Sequence, residues 1–483
     1  MNIILVVIDT LRYDAVGANG GWIRTPHLDA LAGRSWVFDR AFAASYPTIP
    51  HRTDVMTGRY GGPFHAWAPL RFDAATLPRA LADGGYATQL IHDTPHLVNG
   101  GHNFDWPFHA WTFVHGAEVD RPWIDDRALT YLPNWAPDPL FDYVSDGDWP
   151  APTDHTMVTY MRANRNRRRD EDWNAARLFA EAARFCRDNA RRDNFFLWVD
   201  GFDPHEPWDA PPEFVRLYDD TDGYDGRIDP RALFAPGRSP SRSPDPVAVT
   251  RRLRAMYAGK VSWVDRCFGR LTDALAETGL AERTAIIVTA DHGTNLGERG
   301  RFGKGWPIHE TEAHVPLIVH VPGRGAGRCD AVVQPQDLVP TIAAIAGLDA
   351  PAGLDAHDVL AQAAGGERRR IALTGRHPCA WAQDLDAPLF TVFGDDAYLQ
   401  WRPDPAEGRL FRYAQDVPLD DPPAEEVAEL HATGLEEIAR RGAPADLLAW
   451  LGAAGQGPPP ASACANPAPA GYAQYWDRLY NRW

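Results

Sequence analysis

Cysteine is scarce. The five residues (Cys186, Cys267, Cys329, Cys379 and Cys464) are scattered over 483 positions, with no pair at metal-ligand spacing. An odd, sparse set reads as reduced structural thiols rather than a disulfide framework. Long hydrophobic runs are lacking too. The apolar run Ile3–Ile8 has no basic region before it and passes directly into Asp9. It is too short for a signal peptide or a membrane span and reads as a buried first strand. There is no excess of positive charge: 48 Lys+Arg against 65 Asp+Glu leave a net charge of −17. Such a surface repels nucleic acid and anionic membrane, so neither is an expected partner. A cytoplasmic setting is the expectation. Internal repeats are absent. What is present is ordinary for a globular chain, 45% hydrophobic and 23% charged. The length implies two to four compact units. An acidic chain that handles an anionic ligand must gather positive charge locally, through a metal, Arg, Lys or His.

Strand and helix signals alternate over the first two thirds. Continuous apolar strands are predicted at Ile3–Ile8, Tyr86–Ile91, Phe195–Val199, Ala285–Thr289 and Pro316–Val321. Helical patterns lie between them at His27–Ala32, Thr76–Gly84, Asn174–Asn189 and Pro246–Thr278. Strands that are apolar along their whole length, separated by helices, predict an α/β fold with a large, mainly parallel sheet sandwiched by helices. Ligands gather at the carboxyl ends of such strands. Asp9, Asp93, Asp200 and Asp291 sit at or beside four of those ends. Asp219–Asp245 reads as a surface loop. The rhythm stops near Gly347–Gly353, which gives a catalytic domain over residues 1–350 and a smaller C-terminal α+β domain over 351–455. Within the latter, Leu389–Phe393 and Tyr398–Trp401 read as strands and Ala424–Arg441 as a helix. Residues 456–483 form a Pro- and Ala-rich tail, extended or mobile in this reading.

Three segments carry chemistry. The first, Asp9-Thr10-Leu11-Arg12-Tyr13-Asp14, follows the first strand, and Asp9 there is either an N-cap or a ligand for a hard metal. The second is Thr48-Ile49-Pro50-His51-Arg52, followed by Thr57-Gly58-Arg59. It is either a Pro-punctuated loop entering a helix, or a hydroxyl set at a helix N-terminus where an anion is favoured. Arg52, one turn on, would then hold the loop and compensate an oxyanion. The third is Thr289-Ala290-Asp291-His292-Gly293 at a strand end, with Lys304, His309 and Glu310 downstream. Burying adjacent Asp and His requires partners, which points to a metal site.

The order of these segments, together with Asp203-Pro204-His205-Glu206-Pro207, Leu296-Gly297-Glu298 and Val315–Val319, resembles the sulfatase family of the alkaline phosphatase superfamily. Minor signatures agree: Thr25–Asp29, Gly85–Thr88, Asp337–Thr341 and, in the second domain, Leu410–Tyr413. The resemblance implies one divalent metal ion (Mn, Zn, Ca or Mg) held by Asp9, Asp291, His292 and the oxygen of Thr48. It implies that His205 contacts a substrate oxygen and that Lys304 neutralises the nonbridging oxygens of a small anionic ester.

Three departures shift the expected chemistry. Thr48 stands where most sulfatases carry Cys or Ser, the residue oxidised to formylglycine, and threonine cannot be so modified. A Thr ester therefore has to turn over by attack of water on sulfur or phosphorus, which suits a phosphoryl-threonine. Thr10 replaces an acidic ligand, leaving a less anionic metal shell, and the pairing of Asp9 with Asp291-His292 resembles the phosphonate monoester hydrolase branch. The family's Gly-Lys-Trp-His is replaced by His92–His96, and His96 becomes the candidate general acid for the leaving oxygen. Asp200, Asp203 and His205 lack the spacing expected of a second metal set, to which His309 could add a ligand. Trp67, Trp106, Trp111, Trp198, Trp208 and Trp306 are read either as a wall for an organic leaving group or as core. The expected function is metal-dependent hydrolysis of phosphate or phosphonate esters with Thr48 as nucleophile. The alternatives are a sulfatase without formylglycine, a transferase, and an inactive binding protein of the same fold. A homo-oligomer is compatible with any of them.

Overall fold

In a computed structural model, residues 1–120, 122, 160, 163–219, 246–381, 386–453, 455 and 458–464 are described. The expected loop Asp219–Asp245 lies outside them except for Asp219, and so does the expected tail except for residues 458–464.

The first apolar run forms β1 (Asn2–Ile8), buried at every residue. It lies inside an eight-stranded sheet built from β2 (Trp36–Ala41), β3 (Ala87–His92), β4 (Ala110–Phe113), β5 (Phe195–Gly201), β6 (Thr284–Thr289), β9 (Leu317–His320) and β10 (Gly327–Val333). A small separate pair, β7 (Asn295–Leu296) and β8 (Phe302–Gly303), follows the end of β6. The sheet order is β10-β2-β9-β6-β1-β5-β3-β4. All neighbours are parallel except at β9, which runs antiparallel to both β6 and β2. Continuous apolarity revealed β9 as a buried strand but could not reveal its direction. The central strands β6, β1, β5 and β3 are mutually parallel, so their carboxyl ends share one edge.

Two groups of helices cover the sheet. One joins α2 (Thr48–Thr57), α3 (Leu77–Asp83) and α6 (Leu338–Ala346), and the other joins α1 (Pro26–Ala32), α4 (Asn174–Asp188) and α5 (Pro246–Glu277). Helix α2 stops at Gly58, whose φ of 65° closes the last turn onto Asp54, and a Cβ there would meet Val339 at 2.8 Å. No described helix is long and apolar enough to cross a membrane.

The second sheet is antiparallel, in the order β11 (Ala372–Gly375), β12 (Phe390–Phe393), β13 (Ala397–Trp401) and β14 (Arg409–Arg412), and carries α7 (Ala424–Arg440). Its attachment matters for the site. Thr374 donates to the Ala43 carbonyl at 2.6 Å and Tyr46 donates to the Gly375 carbonyl at 2.9 Å, so β11 grips the segment leading into Thr48. Phe42, Tyr46, Ile308, Phe393, Tyr398 and Phe411 form an apolar cluster across the junction.

Candidate active site

The four acidic strand ends take different tasks. Asp9, Asp291 and His292 bring one ligand atom each within 4.8 Å of one another, all buried. His292 Nδ1 donates to the Gly293 carbonyl at 2.9 Å, which leaves its Nε2 buried without a hydrogen-bond partner. Asp9 Oδ2 is likewise buried without a hydrogen bond. A buried imidazole nitrogen fixed by a bond at its other nitrogen, facing two carboxylates, is a donor set that fits a divalent cation. Burial holds the His292 imidazole down at about 4, a neutral form suited to ligation. Burial and the neighbouring Asp291 carboxylate push Asp9 up to about 7.

Asp200 and Asp93 do not join this set. Asp200 takes a two-point bond from Arg52, at 3.1 Å to Nε and 2.9 Å to Nη2, together with the hydroxyl of Thr94 at 2.6 Å. Asp93 accepts the Phe202 amide at 2.6 Å, at the entrance to the loop that carries His205.

Thr10 is held between the two acids of this donor set, Asp9 and Asp291. Its hydroxyl donates to Asp9 at 2.6 Å and its amide to Asp291 at 3.0 Å. Its carbonyl accepts the Tyr257 hydroxyl at 2.9 Å, from α5. These bonds keep a β-branched residue at φ 64°, a left-handed conformation that needs such support. Arg12 then ties this turn to the Asp291 loop, reaching the Thr294 carbonyl at 3.1 Å and Glu298 at 2.7 Å.

Thr48 opens α2 and is 3% exposed, and no side chain caps the helix. Arg52, one turn on, is fully buried. Besides Asp200 it pairs with Asp291 and lies 3.2 Å from Asp9, while its Nη1 approaches the Thr48 carbonyl at 3.5 Å. The guanidinium thus binds three carboxylates. The expected hold on the Thr48 loop is there, but the fork points into the acids rather than outward to an oxyanion.

His205 stacks on Phe202 with ring centroids 4.1 Å apart. Its Nδ1 faces the Glu206 carbonyl at 2.9 Å and Glu118 at 3.1 Å, and its Nε2 meets Lys304 Nζ at 2.6 Å. Lys304 also pairs with Glu206 at 2.9 Å. Burial and the Lys304 ammonium pull the His205 imidazole down, Glu206 and Glu118 pull it up, and the carboxylates prevail. His96 is packed nearby, against Phe202 and Trp67. Burial, with His205, His102, Arg52 and Lys304 around it, pushes its pKa well below the usual histidine value. A neutral imidazole at neutral pH is a poor general acid, which removes the reason for that expectation.

His309 and Glu310 belong to the junction instead. His309 contacts the Tyr398 hydroxyl and Gln400, each at 3.0 Å, and Glu310 accepts the Ala414 amide. The tryptophans divide as well. Trp198 and Trp208 are core, Trp111 is exposed on the edge strand β4, and Trp106 pairs with Phe72. Trp306 bonds the Pro388 carbonyl across the junction. Only Trp67 flanks His96, so the six do not make one wall.

Lys260 escapes motif reading because it sits inside α5. It is 1% exposed and pairs with Asp203 at 2.7 Å. It also donates to the carbonyls of His205 at 3.0 Å and Pro207 at 2.6 Å, clamping the backbone of the His205 loop. One sequence signal could have found it. Lys260 and Lys304 are the two lysines of a chain whose other cationic side chains are all arginine, and both serve this loop. Lys260→Met strands Asp203 and two carbonyls. We expect it to cost on the order of 3–5 kcal/mol, the usual penalty for breaking a buried ion pair, read from the urea unfolding midpoint. An unmoved midpoint would show that the clamp is dispensable.

The sulfatase family model matches residues 1–348. Iduronate 2-sulfatase of Homo sapiens is 27% identical over 411 residues, spanning 73% of this chain and 70% of that protein. Two solved structures share the fold. The phosphonate monoester hydrolase of Silicibacter pomeroyi gives a TM-score of 0.67 at 23% identity, covering 91% of this chain and 95% of its own. That of Agrobacterium radiobacter gives 0.68 at 20% identity, covering 91% and 96%.

Proposed function

The chain belongs to the sulfatase family, as an ester hydrolase acting on sulfate or phosphate esters, and from that premise we propose that it hydrolyses phosphate or phosphonate esters with Thr48 as nucleophile. One observation carries the choice of phosphorus. The residue that opens α2, whose carbonyl lies 3.5 Å from the Arg52 guanidinium that pairs with Asp9 and Asp291, is a threonine, so no formylglycine hydrate can expel sulfate by C–O cleavage.

In the proposed cycle the Thr48 hydroxyl gives up its proton to solvent as its oxygen attacks phosphorus, the P–O bond to the leaving group breaks, and the departing oxygen takes a proton. The donor is the His205–Lys304 pair, whose imidazole is held up by Glu206 and Glu118. Water then attacks the phosphorus of the Thr48 ester, returning the hydroxyl and releasing the acid. Lys304 balances charge on the nonbridging oxygens, and Arg52 fixes the acids around Thr48. A divalent cation held by Asp9, Asp291, His292 and Thr48 would supply charge neutralisation for the anionic ester.

A sulfatase acting without formylglycine is the second reading, favoured by the relatives whose names are sulfatases. The test compares p-nitrophenyl phenylphosphonate, bis(p-nitrophenyl) phosphate and p-nitrophenyl sulfate, each with Mn²⁺, Zn²⁺, Ca²⁺ or Mg²⁺. We expect a phosphorus ester to turn over faster than the sulfate, and chelation to abolish the rate. A sulfate preference reverses the choice of central atom. No turnover of any ester by the metal-loaded chain supports an inactive binding protein.

A further inference from the structure

Buried arginines in this molecule are matched by acids. Arg12 faces Asp14 and Glu298, Arg52 faces Asp9, Asp200 and Asp291, Arg167 faces Asp209, and Arg369 faces Asp337. Arg376 differs. It follows β11 in the second domain and is half-buried, with its Nε shut off from solvent, yet among the described residues it makes no ion pair and no hydrogen bond. Its guanidinium lies over two rings, 4.9 Å from Trp306 and 5.7 Å from Tyr46.

Both rings flank site residues in the chain. Trp306 is two residues beyond Lys304. Tyr46 is two residues before Thr48, and its ring centroid is 5.1 Å from that of His292. The Tyr46 hydroxyl is a second unused donor: the residue is 2% exposed and its oxygen has no hydrogen-bond partner. The acids close enough to influence Tyr46 are committed elsewhere. Glu206 binds Lys304, Asp291 pairs with Arg52, and Glu312 takes the amides of Gly305 at 2.6 Å and His309 at 3.4 Å. Stacking accounts for where the guanidinium lies, but not for a buried Nε left without a partner over the ring of a tyrosine whose buried hydroxyl is also unpaired.

We propose that Arg376 and Tyr46 form a second anion subsite, so that the ester taken by Thr48 carries a further carboxylate, sulfonate or sulfate group beyond the reacting one. This rests on the reading of Thr48 as the centre of an anionic-ester site. The planar fork of Arg376 supplies two-point recognition that a lysine would not.

Binding tests it without requiring turnover. The probes are phenylphosphonate, 4-carboxyphenylphosphonate and 4-sulfophenylphosphonate, titrated calorimetrically into the metal-loaded chain, Arg376→Gln and Arg376→Lys. The native chain should bind a doubly anionic probe roughly tenfold or more tightly than phenylphosphonate, the scale of a charge-assisted bond. That ratio should collapse in Arg376→Gln and survive in part in Arg376→Lys. The carboxy and sulfo probes separate planar from tetrahedral anions. Equal affinities for all three probes in the native chain overturn the subsite, and so does a ratio that persists in Arg376→Gln. The native comparison decides the matter even if both variants fail to fold. An intact ratio with no ester turned over would sink the hydrolytic reading and leave the subsite standing.

Discussion

Thr48→Ala is expected to lower kcat on the phosphorus ester by roughly a thousandfold or more, the scale on which enzymes lose rate when a covalent nucleophile is deleted. That corresponds to about 4 kcal/mol of transition-state stabilisation. The substitution removes the Thr48 oxygen but should leave Asp9, Asp291, His292 and the grip on Arg52 in place, because Arg52 reaches Thr48 only through the main-chain carbonyl. Phenylphosphonate should therefore still bind. Thr48→Ser, which keeps the hydroxyl, should retain far more activity than Thr48→Ala. Rapid quenching followed by mass spectrometry should find the transferred group on the peptide containing Thr48. A full rate in Thr48→Ala with no adduct on the protein would show that water attacks the ester directly, an adduct on another residue would make that residue the nucleophile, and either result leaves Thr48 as only part of the wall.

Local pattern served the reading where the chemistry is local. Asp9 and the Asp291-His292 pair each follow a strand that is buried throughout and mostly apolar, so both the strand and the acid at its end were visible. The strands β2, β4 and β10 were missed because their burial is mixed. Trp36–Ala41 alternates irregularly and Ala110–Phe113 is an edge strand with two exposed residues. The partners of Arg52 were out of reach for a different reason. Asp200 lies 148 residues away and Asp291 239, and only the sheet order brings their strand ends together. Lys260 was hidden by helical periodicity, which makes a clamp look like one more interior position of α5. Arg376 was missed together with β11, a four-residue strand whose role depends on what it docks against. For His96 the motif gave the right neighbourhood and the wrong protonation state. Proximity follows from the strand end at His92, but the number of cations around the imidazole can only be read from packing.

Arg52→Leu should be the most destabilising single change at the site. The guanidinium is fully buried and bonded to Asp200 and Asp291, with Asp9 at 3.2 Å. Burial disfavours the charge on Arg52, but the three carboxylates more than compensate and hold its pKa well above the usual value. Removing one partner of a buried charge cluster costs on the order of 3–5 kcal/mol, because the remaining charges lose their compensation without regaining water. Against a total stability of about 5–15 kcal/mol, that is enough to bring the chain close to unfolding. Arg52→Lys should recover little, since an ammonium cannot bind Asp200 at two points and reach Asp291 at once. A divalent cation at Asp9, Asp291 and His292 adds positive charge to the same cluster. Added Mn²⁺ or Zn²⁺ should therefore raise the unfolding midpoint more in Arg52→Leu than in the native chain. The two roles open to Arg52 separate cleanly in this experiment. If its main contact were with an oxyanion of the substrate, Arg52→Leu would lower kcat/KM and leave the unfolding midpoint where it was. If it holds the acids together, the midpoint falls first, and the lost activity follows from the misplacement of Asp9, Asp291 and Thr48.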